Sequence, residues 1–182
     1  VDFPILGANI FYDNTTTRPD YIDAYTIVEK QNIKVGIIGL MGYGIESSIA
    51  TSRISDYYFA DPVYWAGYYT EYLRNEEDVD LVLVVLHDDG RGSFNQTLST
   101  WTGSKKVDAV FNGHSHQSYT YNYSRSGVDM PEIQSSSNGR QVGKVSFTFD
   151  YQGLVTSASA TNLTSSNESR LSTPSTRIQS II

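Results

Sequence analysis

Hydrophobic residues in this chain fall into short runs, and the spacing of those runs changes near residue 116. The first run, FPILGANIFY at 3–12, has the length and β-branched content of a strand. YTIVEK (25–30) and IKVGIIGLM (33–41) are separated only by Gln31-Asn32, which predicts a hairpin whose second strand is buried. Residues 42–56 show no periodicity and read as a loop, with the glycines of GLMGYG marking the strand-to-loop turn. Asp61-Pro62 then signals a helix start, because Asp suits the N-cap and Pro the first helical position. Val63, Ala66, Tyr69 or Thr70, and Leu73 follow at helical spacing, predicting a helix over about 62–77 that ends in polar NEED.

VDLVLVVLHD is a continuous apolar run, the pattern of a parallel strand buried on both faces, and predicts a strand over 79–86. Phe94, Leu98 and Trp101 lie at helical spacing before Gly103, predicting a helix at 93–102. VDAVFNGHSH supplies a second buried strand over 107–112. Strand, helix, strand, helix, strand indicates an α/β fold with a parallel sheet, in which residues 79–86 and 107–112 are neighbours. Beyond His116, SYTYNYS, VGKVSFTFD and LVTSASATNL alternate as antiparallel strands do, with YQG as a turn. The last stretch, 164–182, has no aromatic residue and little periodicity, and reads as a linker or flexible tail.

Composition narrows the function. A length of 182 residues suffices for one sizeable core. A net charge of -7 argues against a nucleic-acid binder, including one for duplexes, which would carry a basic face. No run of apolar residues is long enough to span a membrane. The chain has no cysteine, which removes thiolate ligands, disulfides and Cys nucleophiles together. Asn-x-Ser/Thr triplets at Asn14, Asn95, Asn122, Asn162 and Asn167 fit an extracellular, cell-surface or periplasmic setting. The opening at Val1, without a Met and directly before a strand-like run, reads as the middle of a longer protein.

All three histidines stand at predicted strand ends. His87 closes VLVVL, while His114 and His116 follow VDAVF in the segment FNGHSH. In a parallel α/β sheet, sites form at the carboxyl ends of strands because the loops converge there. His87 and His114 are therefore expected in one crevice, with His116 approaching from the same loop and Gly113 giving the backbone room to turn. Imidazole is the commonest metal-binding side chain, so three at one edge suit a hydrolytic metal centre. A single His after a strand is more often a cap or a surface group; the three together carry the metal reading. The Asp88-Asp89 pair reads as a solvated turn, with Asp88 available to orient a neighbouring ligand. No GxSxG elbow, P-loop or GxGxxG accompanies these strands.

FPILGANI, IKVGIIGL, VDLVLVVLHDD, VDAVFNGHSHQ and PEIQSSSNGRQVGKVSFTFD, in that order, resemble the calcineurin-like metallophosphoesterases. The resemblance is to the branch of 5'-nucleotidases and 2',3'-cyclic phosphodiesterases. It implies an αββα sandwich with a centre of two divalent transition metals, drawn from Zn, Mn, Fe, Co or Ni, that hydrolyses phosphate esters, nucleotides foremost. By resemblance His87 and His114 bind one metal and His116 the other. The family's Asp-x-His, Gly-Asp and Gly-Asn-His-Glu/Asp motifs do not occur here. The resemblance therefore implies that residues 1–163 are the C-terminal half of the catalytic domain, its partner the missing N-terminal half. Such a chain is expected to be inactive alone and to expose apolar sheet surface through which it dimerises. The alternative reading is a non-catalytic extracellular binding module that keeps the fold.

Overall fold

The computed structural model describes residues 3–89, 92–172 and 175. The predicted strand at 3–12 is only partly formed. Ile10–Tyr12 (β1) is a three-residue strand, while residues 5–8 bond to the backbone of Asp23 and Gly39, with Leu6 in an isolated parallel bridge to Asp23. The Gly7 N–H donates to the Asp23 carbonyl at 2.7 Å and the Ala8 N–H to the Gly39 carbonyl at 2.7 Å. Gly39 explains the detour. A Cβ there would stand 2.8 Å from the Leu6 carbonyl oxygen, so only glycine lets the two backbones meet.

Tyr25–Lys30 (β2) and Ile33–Met41 (β3) form the expected antiparallel hairpin. Its two turn residues both take left-handed backbone, Gln31 at φ 54° and Asn32 at φ 63°, as a tight hairpin turn requires. The segment read as a loop holds two short 3-10 turns, and just beyond it Tyr57–Phe59 (β4) pairs antiparallel with β1. Pro62–Asn75 (α1) begins where predicted, with Asp61 Oδ1 accepting the N–H groups of Val63 (2.8 Å) and Tyr64 (3.2 Å).

Leu81–His87 (β5) and Ala109–Asn112 (β6) are adjacent and parallel, as expected, and β5 is also parallel to β3. Between them Ser93–Ser99 (α2) stops three residues short of the predicted end. The hydroxyls of Thr97, Ser99 and Thr100 bond to the carbonyls of Ser93, Gln96 and Thr97. Side chains that compete in this way for helix carbonyls weaken the final turn.

After β6 come Ser118–Tyr123 (β7) and Met130–Ser135 (β8), an antiparallel pair in which β8 also runs parallel to β6. The six-stranded sheet is ordered β2-β3-β5-β6-β8-β7. Val142–Phe149 (β9) and Val155–Leu163 (β10) form a separate hairpin. It leans on β7 and β8 through Asn162, whose amide donates to the Gln134 carbonyl (2.9 Å) and the Tyr119 carbonyl (3.3 Å). The class is thus the expected one, a parallel sheet followed by antiparallel strands.

Alternation along the inner strands decides which face is covered. Ile38 and Leu40, Val82, Val84 and Leu86, Val110 and Met130 point one way and meet Ala66 and Leu73 of α1 and Phe94 and Leu98 of α2 in a continuous core. On the opposite face Val85 is 45% exposed, with Ile37, Leu83 and Phe111 beside it only half-buried. Two of the five Asn-x-Ser/Thr triplets prove structural. Asn95 is fully buried and donates to Glu132, and Asn162 pins the hairpin. In the stretch read as a tail, residues Ser169–Ser172 make a short 3-10 turn; residues 173–174 and 176–182 of that stretch lie outside the described ones.

Candidate metal centre

Register brings the histidines together. Leu86 of β5 stands beside Asn112 of β6, so the next residues out, His87 and Gly113, leave the sheet side by side. His114 follows one step later, and its ring centroid lies 5.2 Å from that of His87, with the planes at 70°. This edge is the carboxyl end of the parallel strands, where ligand sites of open α/β sheets gather. His114 is half-buried, and His87 and His116 are exposed.

The sharp turn falls on the histidines rather than on Gly113. His114 (φ 63°) and His116 (φ 57°) take left-handed backbone, an uncommon state for residues with a Cβ and one that concentrates at functional sites. Gly113 has ordinary space around it, with His87 Nδ1 3.8 Å from where a Cβ would sit.

His87 is held below the usual imidazole pKa, first by partial burial, then by the positive charge of His114, with His116 adding to it and Asp88 opposing it. That favours the neutral ring, the form that binds metal. The pair places two imidazoles, the commonest metal-binding side chain, side by side at this edge. The wider set is not assembled: among the described residues no group of three His, Asp or Glu side chains is gathered closely enough to hold a metal.

The loop carrying HSH is fixed from below. Gln134, fully buried on β8, accepts the Gln117 N–H at 2.6 Å and the Ser115 hydroxyl at 3.0 Å on its Oε1. Asp88 and Asp89 do not form the solvated turn that two adjacent acids suggest; both are half-buried. The Asp88 carbonyl accepts the Gly113 N–H at 3.0 Å, tying the two strand ends together. The Asp89 carboxylate accepts from the Gln117 amide (3.0 Å) and the Tyr119 hydroxyl (3.1 Å). Burial pushes the Tyr119 phenol well above its ordinary pKa, so it stays a donor. Asn9 performs a similar service at the end of β3. Fully buried, it accepts the Met41 N–H at 2.9 Å and donates to the Met41 and Ala60 carbonyls at 2.8 Å each.

Neither Gln134 nor Asn9 was evident in the sequence. Gln134 gave no local signal: MPEIQS is buried from Met130 through Gln134 without alternation, and polar residues at buried positions mask a strand.

No family model matches the chain. A 5'-nucleotidase of Vibrio vulnificus is 29% identical over 124 residues, covering 64% of this chain and 22% of that protein. A cell wall protein of Listeria monocytogenes is 26% identical over 167 residues, covering 82% of this chain and 20% of that protein. The chain thus spans about a fifth of the length of these curated relatives. Among solved structures, a calcineurin-like phosphoesterase of Bacillus subtilis superposes with a TM-score of 0.67 at 21% identity, covering 90% of this chain and 56% of that one. In sequence the chain is thus similar to a 5'-nucleotidase over part of that protein's length, and in fold to a calcineurin-like phosphoesterase.

Proposed function

We propose that this chain supplies the histidine side of a two-metal centre in a phosphoesterase that hydrolyses phosphate esters, with nucleotides as the substrate class. The observation that carries the reading is the 5.2 Å approach of His87 and His114 at the carboxyl edge of two adjacent parallel strands. His87 and His114 would hold one metal and His116 would serve the other. Divalent ions there would act as Lewis acids, offsetting the charge that develops on the phosphoryl oxygens. The chain's own residues orient the imidazoles: Gln134 fixes the loop, Asp88 joins the strand ends, and Asp89 with Tyr119 buttresses the turn.

Residues 1–163 are read as the C-terminal half of the catalytic domain and 164–182 as a linker. The face around Val85 is the surface that the rest of the domain, or a second copy of the chain, would cover. An extracellular or cell-wall location is supported by the relative named as a cell wall protein; no helix among the described residues is long and apolar enough to cross a membrane. Turnover of a nucleoside monophosphate by the full-length protein, before and after chelation, tests the reading. Loss of turnover on chelation and recovery with added Zn, Mn, Fe, Co or Ni is expected. Undiminished activity in chelator rejects it.

A further inference from the structure

One side of α1 is aromatic where solvent meets it. Ala66 and Leu73 pack into the core beneath the helix. On the opposite side Tyr64, Tyr68 and Tyr72 follow one another at i, i+4 and i+8, a single stripe along the helix. They are 61%, 48% and 37% exposed. A contiguous exposed patch of large side chains marks an interaction surface more often than a scattered one does.

The exposed rings are held by rings below them. Tyr64 meets Trp65 edge-on at 5.3 Å, and Tyr68 meets Trp65 at 5.5 Å and Tyr69 at 5.0 Å. Tyr72 lies 5.8 Å from Tyr25. A ring fixed in this way gives up little conformational freedom when a partner covers it. Tyrosine also combines apolar area with a polar tip, which is why it concentrates at interfaces.

The charge beside the stripe is mainly negative. Glu71 stands three residues from Tyr68 on the same face, and Glu76 four residues beyond Tyr72. Glu76 at the C-cap and Glu77 after it oppose the helix dipole, so they do not serve α1 itself. The cations nearby are engaged within the chain. Lys105 Nζ lies 3.7 Å from Glu71, Lys34 Nζ donates to the Glu77 carbonyl at 3.4 Å, and Arg74 is paired with Asp108. On the inner side of the cluster the Arg18 guanidinium lies 5.6 Å from the centre of the Tyr69 ring, so these rings already accept one cation from the chain.

We propose that the Tyr64, Tyr68 and Tyr72 face of α1 is a docking surface for a basic segment of a partner protein. Its Arg or Lys side chains would sit over the tyrosine rings and pair with Glu71 and Glu76. A cation within about 6 Å of a ring centre is drawn to the ring face, and a planar guanidinium stacks there better than an ammonium. Complementary charge selects this occupant over an acidic or neutral one.

The test is fluorescence anisotropy of a labelled Arg-Gly repeat peptide on the full-length protein, with Lys-Gly and Ser-Gly repeats of equal length beside it. Saturable binding of the Arg-Gly repeat is expected, weaker for Lys-Gly, absent for Ser-Gly, and falling as salt rises. A net charge of -7 attracts cations in general, so the deciding variant leaves charge unchanged. Tyr64→Ala with Tyr68→Ala keeps a good helix former at both positions and should weaken binding about tenfold. Should that variant fail to fold, the ring proton signals of Tyr64 and Tyr68 in the unsubstituted protein decide, and shifts that saturate with Arg-Gly but not with Ser-Gly support the surface. Unchanged affinity in the folded double variant overturns the proposal. So does displacement of the peptide by a neutral glucose oligomer, which would assign the stripe to sugar. A dimer in sedimentation that the double variant abolishes would assign it to a second copy of the chain, and overturns the proposal as well. None of these outcomes depends on the proposed phosphoesterase activity.

Discussion

The buried amide of Gln134 and the backbone N–H of Gln117 are joined at 2.6 Å, so a residue in the sheet sets the position of a loop that carries two histidines. The same Oε1 receives the Ser115 hydroxyl. Gln134→Ala would remove the buried acceptor that both donors share. We expect a stability loss of about 1–3 kcal/mol, the usual cost of a buried polar group left unmatched. Urea denaturation measures it, and amide exchange at Gln117 should quicken more than exchange in β5. Unchanged protection at Gln117 would show that the loop is held by other contacts.

Two glycines of β3 predict unequal costs. A Cβ at Gly36 would stand 2.8 Å from Leu73 Cδ1, the end of a side chain, whereas one at Gly39 would meet the backbone of Leu6. Gly36→Ala should therefore cost about 1–3 kcal/mol, as overpacked cores do, and Gly39→Ala more, because the segment 5–8 must lift. Thermal unfolding of both variants checks the order. A Gly39→Ala as stable as Gly36→Ala would mean that the segment docks only loosely.

What the sequence revealed, and what it hid, follows from where polar groups went. The hairpin at Gln31-Asn32, the start of α1 at Asp61 and the apolar runs of β5 and β6 were legible because local chemistry and tertiary role agree there. The end of α2 was misjudged because Ser99 and Thr100 turn their hydroxyls on helix carbonyls while Trp101 keeps the helical spacing. β8 draws no strand reading, because Pro, Glu and Gln interrupt the apolar pattern of a buried strand although Pro131, Glu132 and Gln134 are all buried. The juxtaposition of His87 and His114 followed from strand order, but the residues fixing them were invisible. Gln134 and Asn9 act through long-range hydrogen bonds that no local pattern announces.

The start of α1 gives a pH dependence. Burial alone would raise Asp61, but the Tyr43 hydroxyl at 2.7 Å and the N–H groups of Tyr64 and Val63 more than offset it, leaving the carboxyl below its ordinary value. A carboxylate with a depressed folded pKa contributes stability above its unfolded value of about 3.9 and loses it as pH falls through the folded value. Asp61→Asn should thus flatten the acid limb of the stability curve while leaving a capped helix at neutral pH. Tyr43→Phe should move the Asp61 titration upward. Urea midpoints between neutral and acid pH, with carboxyl chemical shifts, measure both effects. An unaltered acid limb in Asp61→Asn would assign acid sensitivity to other carboxylates.

The metal reading makes its sharpest prediction for the chain alone. His87 and His114 stand together, yet among the described residues no third His, Asp or Glu completes a ligand set. Two neutral imidazoles supply no negative charge against a divalent cation, and a structural or catalytic zinc ordinarily has at least three protein ligands. Calorimetric titration with zinc should therefore show weak binding of one ion. His87→Ala and His114→Ala should each abolish it, whereas His116→Ala, altering an exposed residue outside the pair, should change it little. Binding should also fade as pH drops, because protons compete with the metal for ligand nitrogens. A chromogenic phosphodiester should remain intact, because the groups that would fix an attacking water relative to phosphorus are not supplied by these histidines. Tight binding of two ions with robust turnover by residues 1–182 would show that the chain is self-sufficient. Zinc binding that survives loss of both His87 and His114 would place any metal site elsewhere on the molecule.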